Sequence, residues 1–169
     1  MHSIAVLNQL SETEFAEALR PLFETAPQLA RRLYAAHPFA SFEALIETAE
    51  RLVFSMPIEE QIAVVNAHPR IGADPASVSA ASYREQGYSA EGSLDAVELR
   101  RVYARLDELN TSYERRFGFR FVVFVNGRPK RAILEVLEAR LRNAREVELA
   151  TGLHELFEIA RDRLRTHSA

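Results

Sequence analysis

Apolar residues recur along this chain at three- and four-residue intervals, the spacing that gathers them on one side of an α-helix. Phe15, Leu19 and Leu22 follow Ser11-Glu12-Thr13-Glu14, where a hydroxyl with a glutamate three residues on has the form of a capping box. Leu29, Leu33 and Tyr34 keep helical spacing from near Gln28 to Ala36, and Ser41 is placed to cap a helix carrying Leu45, Ile46, Ala49, Leu52 and Val53. Ile58 to Val65 reads as a helix beginning at Pro57, whose fixed φ suits a first turn. The longest periodic stretch runs from Ser93 to Phe117, with Leu99, Val102, Tyr103, Leu106, Leu109, Tyr113 and Phe117 on one stripe. Asn143-Ala144-Arg145-Glu146 has the form of a second capping box. It opens a last helix in which Val147, Ala150, Leu153, Leu156, Phe157, Ala160 and Leu164 are expected to face inward.

One stretch departs from this periodicity. Phe119-Arg120-Phe121-Val122-Val123-Phe124-Val125 is dense in β-branched and aromatic residues and ends at the turn signal Asn126-Gly127. Nothing else in the chain reads as a strand that could pair with it, so it is expected to be a buried extended segment between two helices. Its N–H and C=O groups would need other partners, and a bound polar ligand is one source of them. The loosest region runs from Gly72 to Gly92, with a short helical turn near Ser82 to Gln86. The fold expected over residues 1–169 is all-α: a single-domain helical bundle of about seven to nine helices with one short extended segment.

Composition narrows the function classes. An apolar fraction of 47% supports a core, and a net charge of −3 with both signs interspersed lacks the basic footprint of a nucleic-acid binder. The absence of cysteine excludes disulfides, thiolate metal sites and a cysteine nucleophile together. No apolar run has the length of a membrane span, and no signal peptide is readable, so a cytoplasmic protein is expected.

The candidate chemistry starts at Asn66-Ala67-His68-Pro69-Arg70-Ile71-Gly72. Pro69 bars the residue before it from helical geometry, which places His68 at or just past a helix end. A free imidazole pKa of about 6.5 suits proton transfer in either direction. The structural alternative is a histidine satisfying the last carbonyls and the dipole of its helix. Ser82, Glu85 and Gln86 stand at i, i+3 and i+4, so one helical face would present a hydroxyl, a carboxylate and a carboxamide to a small heterocycle. The competing account makes Ser82 the cap of a short helix, with Glu85 closing a capping box. Arg140 and Arg142 end one helix and Arg161 and Arg163 lie in the last. Solvated helix-end arginines explain all four, whereas a fork for a substrate carboxylate would favour Arg163, at the edge of the apolar stripe. His2 and His167 are terminal, and no two histidines have the His-x-x-x-His spacing of a helical zinc site, so no metal is expected.

In this order, His68-Pro69 with Gly72, Ser82-x-x-Glu85-Gln86, Asn110-x-x-Tyr113, Phe117-Gly118-Phe119-Arg120-Phe121-Val122-Val123, Arg140-Leu141-x-Asn143 and Arg163-Leu164 resemble the OHCU (2-oxo-4-hydroxy-4-carboxy-5-ureidoimidazoline) decarboxylase family of uric acid degradation. The resemblance spans about Leu10 to Leu164. It implies a cofactor-free, all-helical homodimeric enzyme that turns OHCU into (S)-allantoin. Carried over by position, His68 is the catalytic acid/base and Glu85 acts with it. Pro69, Ser82, Gln86 and Arg163 contact substrate, and the backbone of Phe121, Val122, Val123, Phe124 and Val125 runs along it. The chain departs from the family pattern in three places. Arg120 stands for a proline, Ala26-Pro27-Gln28 lacks the family's tryptophan, and Gly87-Tyr88 replaces Ala-Gly. Two other readings follow from the same residues: a helical ligand-binding or interaction module without turnover, and a decarboxylase for a related ureido acid.

Overall fold

The computed structural model describes residues 2–88 and 95–168, the last two by backbone alone. Among the described residues there are helices and no strands. In chain order the α-helices are α1 (Ile4–Leu7), α2 (Glu12–Phe23), α3 (Pro27–Ala36), α4 (Phe42–Ser55), α5 (Ile58–Ala67), α6 (Ala80–Glu85), α7 (Ala96–Phe117), α8 (Lys130–Arg140) and α9 (Arg145–Ser168). They form two compact groups, Met1–His68 with Leu156–Ala169, and Pro69–Glu155. No helix among the described residues is long and apolar enough to cross a membrane.

In the first group local rules decide the elements. Ser11 and Glu14 make the capping box of α2, and the Ser41 hydroxyl accepts from the Ala44 N–H at 3.1 Å. The predicted stripes then meet as a core. Phe15, Leu19 and Leu22 of α2, Leu29 and Leu33 of α3, Leu45, Ile46, Ala49 and Val53 of α4, and Leu156, Phe157 and Ala160 of α9 are all buried. Phe23 meets Phe157 edge-on, with ring centroids 6.1 Å apart.

In the second group α7 begins at Asp95, whose carboxylate accepts from the N–H groups of Val97 and Glu98. Ser93, expected to begin that helix, and Gly92, the expected end of the loose region, lie outside the described residues, as does the His167 side chain. Gly118 ends α7 with φ +81°, the left-handed conformation that favours glycine at this cap. Residues 120–125 are extended without a strand partner and turn at Asn126-Gly127, both with positive φ, as a type I′ turn requires.

Two expectations for α9 need correction. Asn143 does not cap it: its amide donates to Glu148 Oε1 at 2.7 Å, while the Ala144 carbonyl accepts the first helical bond, from the Glu148 N–H. Val147, expected inside, is 53% exposed, and Glu148 is fully buried in its stead. The cause is charge. Arg140, expected on the surface, is buried at the end of α8, and its Nε donates to Glu148 Oε2 at 2.8 Å, so the first turn of α9 faces a cation rather than an apolar wall.

Candidate functional site

Each helical group brings together part of the predicted set. In the first group His68 caps the C-terminus of α5 in an extended conformation (φ −72°, ψ 141°), as Pro69 demands, and its N–H donates to the Val65 carbonyl. The imidazole is 3% exposed. Burial, helped by the positive charge of Arg163, pushes its pKa down from 6.5 to about 3, so the ring is neutral at physiological pH.

Arg163 turns inward, as its place beside the stripe suggested, and is 4% exposed. One arm of its guanidinium pairs with Glu24 at 2.9 Å, and the other donates to the Leu22 carbonyl at 3.3 Å, at the end of α2. Arg161 lies at the surface side, paired with Glu50 and Glu158. Glu24 escaped the sequence reading. It holds φ +57° and ψ −150°, a conformation almost confined to glycine, and no local sequence signal announces a glutamate there.

In the second group α6 starts two residues earlier than the expected turn. Ser79 is its cap, accepting from the Ser82 N–H at 3.1 Å, so Ser82 is not a cap and Glu85 closes no capping box. Ser82 is fully buried, and Glu85 is the last residue of the helix. The Glu85 carboxylate accepts from the Val125 N–H at 3.4 Å, so this acid faces the extended segment.

The Gln86 carboxamide is engaged inside its own group. Its oxygen accepts from the Gly72 N–H at 2.9 Å and the Tyr88 hydroxyl at 2.8 Å, and its nitrogen donates to the Arg70 carbonyl at 3.3 Å. Arg70 clasps Glu114 with two bonds of 2.7 and 2.6 Å, and Asn110 donates to the Ile71 carbonyl at 3.0 Å. The turn that starts at Pro69 is therefore fixed from three directions. Tyr88, one of the departures from the family pattern, shares its one hydroxyl proton between the Gln86 oxygen and the Ala73 carbonyl, 2.7 Å away. A cavity of about 480 Å³ on the Lys130 side includes only Gln86 and Val125 of the predicted residues.

Phe121, Val122, Val123 and Val125 are buried, and side chains supply the segment's backbone partners. Arg140 donates to the Val122 carbonyl at 2.8 Å, Glu155 accepts from the Phe124 N–H at 2.6 Å, and Arg128 donates to the carbonyls of Phe124 and Val125. In an extended chain the polar groups of residues i and i+2 point to the same edge. On the Val122 and Phe124 edge, Arg140 thus holds the Val122 carbonyl and Glu155 and Arg128 hold both polar groups of Phe124, while Arg128 also reaches the Val125 carbonyl on the other edge. On the opposite edge the Val123 N–H and C=O take no hydrogen-bond partner among the described residues, and Glu85 stands at its Val125 end. Arg140 was weighed only as one of four helix-end arginines, and Glu148 and Glu155 were missed, because their charge and helical spacing resemble those of a solvated face. Among the described residues no cluster of three or more histidine or acidic side chains could hold a metal ion.

Comparison with known proteins gives a consistent result. The family model for OHCU decarboxylase matches residues 8–165. A 2-oxo-4-hydroxy-4-carboxy-5-ureidoimidazoline decarboxylase of Haloferax volcanii is 32% identical over 97% of this chain and 96% of its own length. The uric acid degradation bifunctional protein PucL of Bacillus subtilis is 34% identical over 97% of this chain, which spans only 32% of that longer protein. A crystal structure of an OHCU decarboxylase in the presence of (S)-allantoin superposes with a TM-score of 0.67 at 26% identity, covering 88% of this chain and 94% of that one.

Proposed function

The chain belongs to the OHCU decarboxylase family, and from that premise we propose that it is a carboxy-lyase of urate degradation. Its reaction removes carbon dioxide from 2-oxo-4-hydroxy-4-carboxy-5-ureidoimidazoline and leaves (S)-allantoin. The observation that carries this reading is the open edge at Val123. A ureido group offers N–H and C=O side by side, the complement of one extended residue's N–H and C=O, and the Glu85 carboxylate stands at the Val125 end of that edge.

The chemistry asks the protein for positioning and proton transfer. When the C–CO2 bond breaks, its electron pair forms a C=C bond to the adjacent carbon and the C=N pair passes to the ring nitrogen, which takes up a proton from solvent, so in this reading neither a metal nor an organic cofactor takes part. The substrate hydroxyl gives up a proton as the carbonyl of allantoin forms, and one face of the adjacent carbon gains a proton, which sets the product's hand. His68 starts neutral, and a substrate carboxylate that offsets the Arg163 charge lifts one of the two causes that hold its pKa down, so that the ring can accept the hydroxyl proton and return one. Glu85 orients the substrate's N–H and O–H groups, and Arg163 places a cation for its carboxylate. Pro69 and Ser82 border the ligand. Gln86, whose amide is committed to the Gly72 turn, contributes by holding that turn. The enzyme works as one domain in the cytoplasm, as a homodimer, on a small molecule and without nucleic acid or membrane.

A chiral assay tests the reading. OHCU decays spontaneously to racemic allantoin, so urate supplied with urate oxidase, hydroxyisourate hydrolase and this protein is expected to give a circular dichroism signal of (S)-allantoin above the protein-free control. A racemic product at the control rate rejects decarboxylation. Binding of allantoin without that excess would return the chain to the class of non-catalytic binding modules.

A further inference from the structure

Arg140 and Glu155 lie outside the predicted set, yet both bond to backbone groups on one edge of the extended segment. Arg140 is itself anchored. Its Nε donates to Glu148 Oε2 at 2.8 Å, its guanidinium lies 4.6 Å from the centre of the Phe121 ring, and Glu148 also takes the Tyr113 hydroxyl and the Asn143 amide. Burial and the Glu148 carboxylate raise the Tyr113 pKa, so the phenol keeps its proton and remains a donor to that carboxylate. The chain of contacts therefore runs from α7 through α9 and α8 to the Val122 carbonyl. Glu155, half-buried on α9, takes the next N–H on that edge, that of Phe124, at 2.6 Å.

We infer that Arg140 and Glu155 are positioning residues, which occupy one edge of residues 122–124 and so fix the opposite edge, at Val123, in the register that a ligand's N–H and C=O meet. Neither touches the reacting atoms. The role rests on the proposed function for its substrate but not for its geometry. An extended strand without a neighbour has no ladder to set its twist or register. Here a cation on one carbonyl and an anion on an N–H two residues along replace the missing strand, and charge-assisted bonds are the stronger kind.

Glu155 gives the cleaner test, because it is half-buried and Glu155→Ala leaves no buried charge behind. For Glu155→Ala, KM is expected to rise about tenfold, in the range of one lost hydrogen bond to a charged group. The enantiomeric excess of the allantoin should fall, while the thermal midpoint moves little. Glu155→Gln, which keeps an acceptor for the Phe124 N–H, should restore most of both. In the ligand-free protein the Phe124 amide should exchange with solvent faster in Glu155→Ala than in the unaltered chain. Unchanged KM and product hand in Glu155→Ala, or an unchanged Phe124 exchange rate, would overturn the inference. If the unaltered protein shows no turnover, the functional reading fails by itself, and the exchange rate still decides the positioning role.

Discussion

Helix α4 and the extended segment from Phe121 to Val125 are both buried against apolar neighbours, but they satisfy their backbones by opposite means. In α4 each interior N–H finds a carbonyl four residues back, and the one end in need of help takes it from Ser41, three residues from the amide it serves. In the segment Arg128 serves two carbonyls from close by, but the other partners come from far along the chain: Glu85, Arg140 and Glu155 lie 40, 18 and 31 residues from the groups they bond. A backbone satisfied locally tolerates the loss of one cap. A backbone satisfied by remote charged side chains is precise in its geometry and depends on each of them.

The largest expected effect lies at the chemistry. His68→Asn should lower turnover by at least the 10²–10⁴-fold that general acid–base help supplies, with ligand affinity largely kept. Steady-state kinetics beside an allantoin titration separate the two, and near-normal turnover would remove His68 from the mechanism.

Next comes a paired comparison of the two ways of satisfying a backbone. Arg140→Met strands the buried Glu148 carboxylate and should cost about 3–5 kcal/mol, against about 1 kcal/mol for Ser41→Ala. Urea unfolding of the two variants measures the difference, and equal costs would erase the distinction between local and remote satisfaction.

A further effect is a slope with pH. The unfolded chain binds a proton at His68 near pH 6.5, whereas the folded chain resists it down to about 3. The stabilisation from the neutral ring is therefore complete above about pH 6.5 and is lost as pH falls towards 3. His68→Asn should flatten that part of the stability profile, and an identical slope in both proteins would place the imidazole in a wetter setting.

The same contrast decides what could be read from residues alone. Ser11, Ser41 and the stripes of α2, α3 and α4 were legible because capping and periodicity are written within a few positions. His68 was legible because Pro69 sits next to it. Ser82 was misread as a potential cap because Ser79 offers the same chemistry one turn earlier, and spacing cannot choose between two serines. Val147 and Glu148 exchanged places because helical periodicity puts no weight on a buried cation contributed by another helix. Glu155 was invisible as a site residue, and Arg140 could not be told from Arg142 or Arg161, for the same reason. A charged residue on a helix looks identical whether it meets water or the backbone of a distant segment.

Glu24 carries a practical consequence for anyone wishing to make this protein hardier. Its backbone sits where a side chain costs about 1–3 kcal/mol, so a routine stabilisation scheme would install glycine there. That exchange would remove the carboxylate that pairs with Arg163 at 2.9 Å. Position 24 thus sets tolerance to heat against the readiness of a cation, and a stabilised Glu24→Gly variant should be screened for function before it is kept.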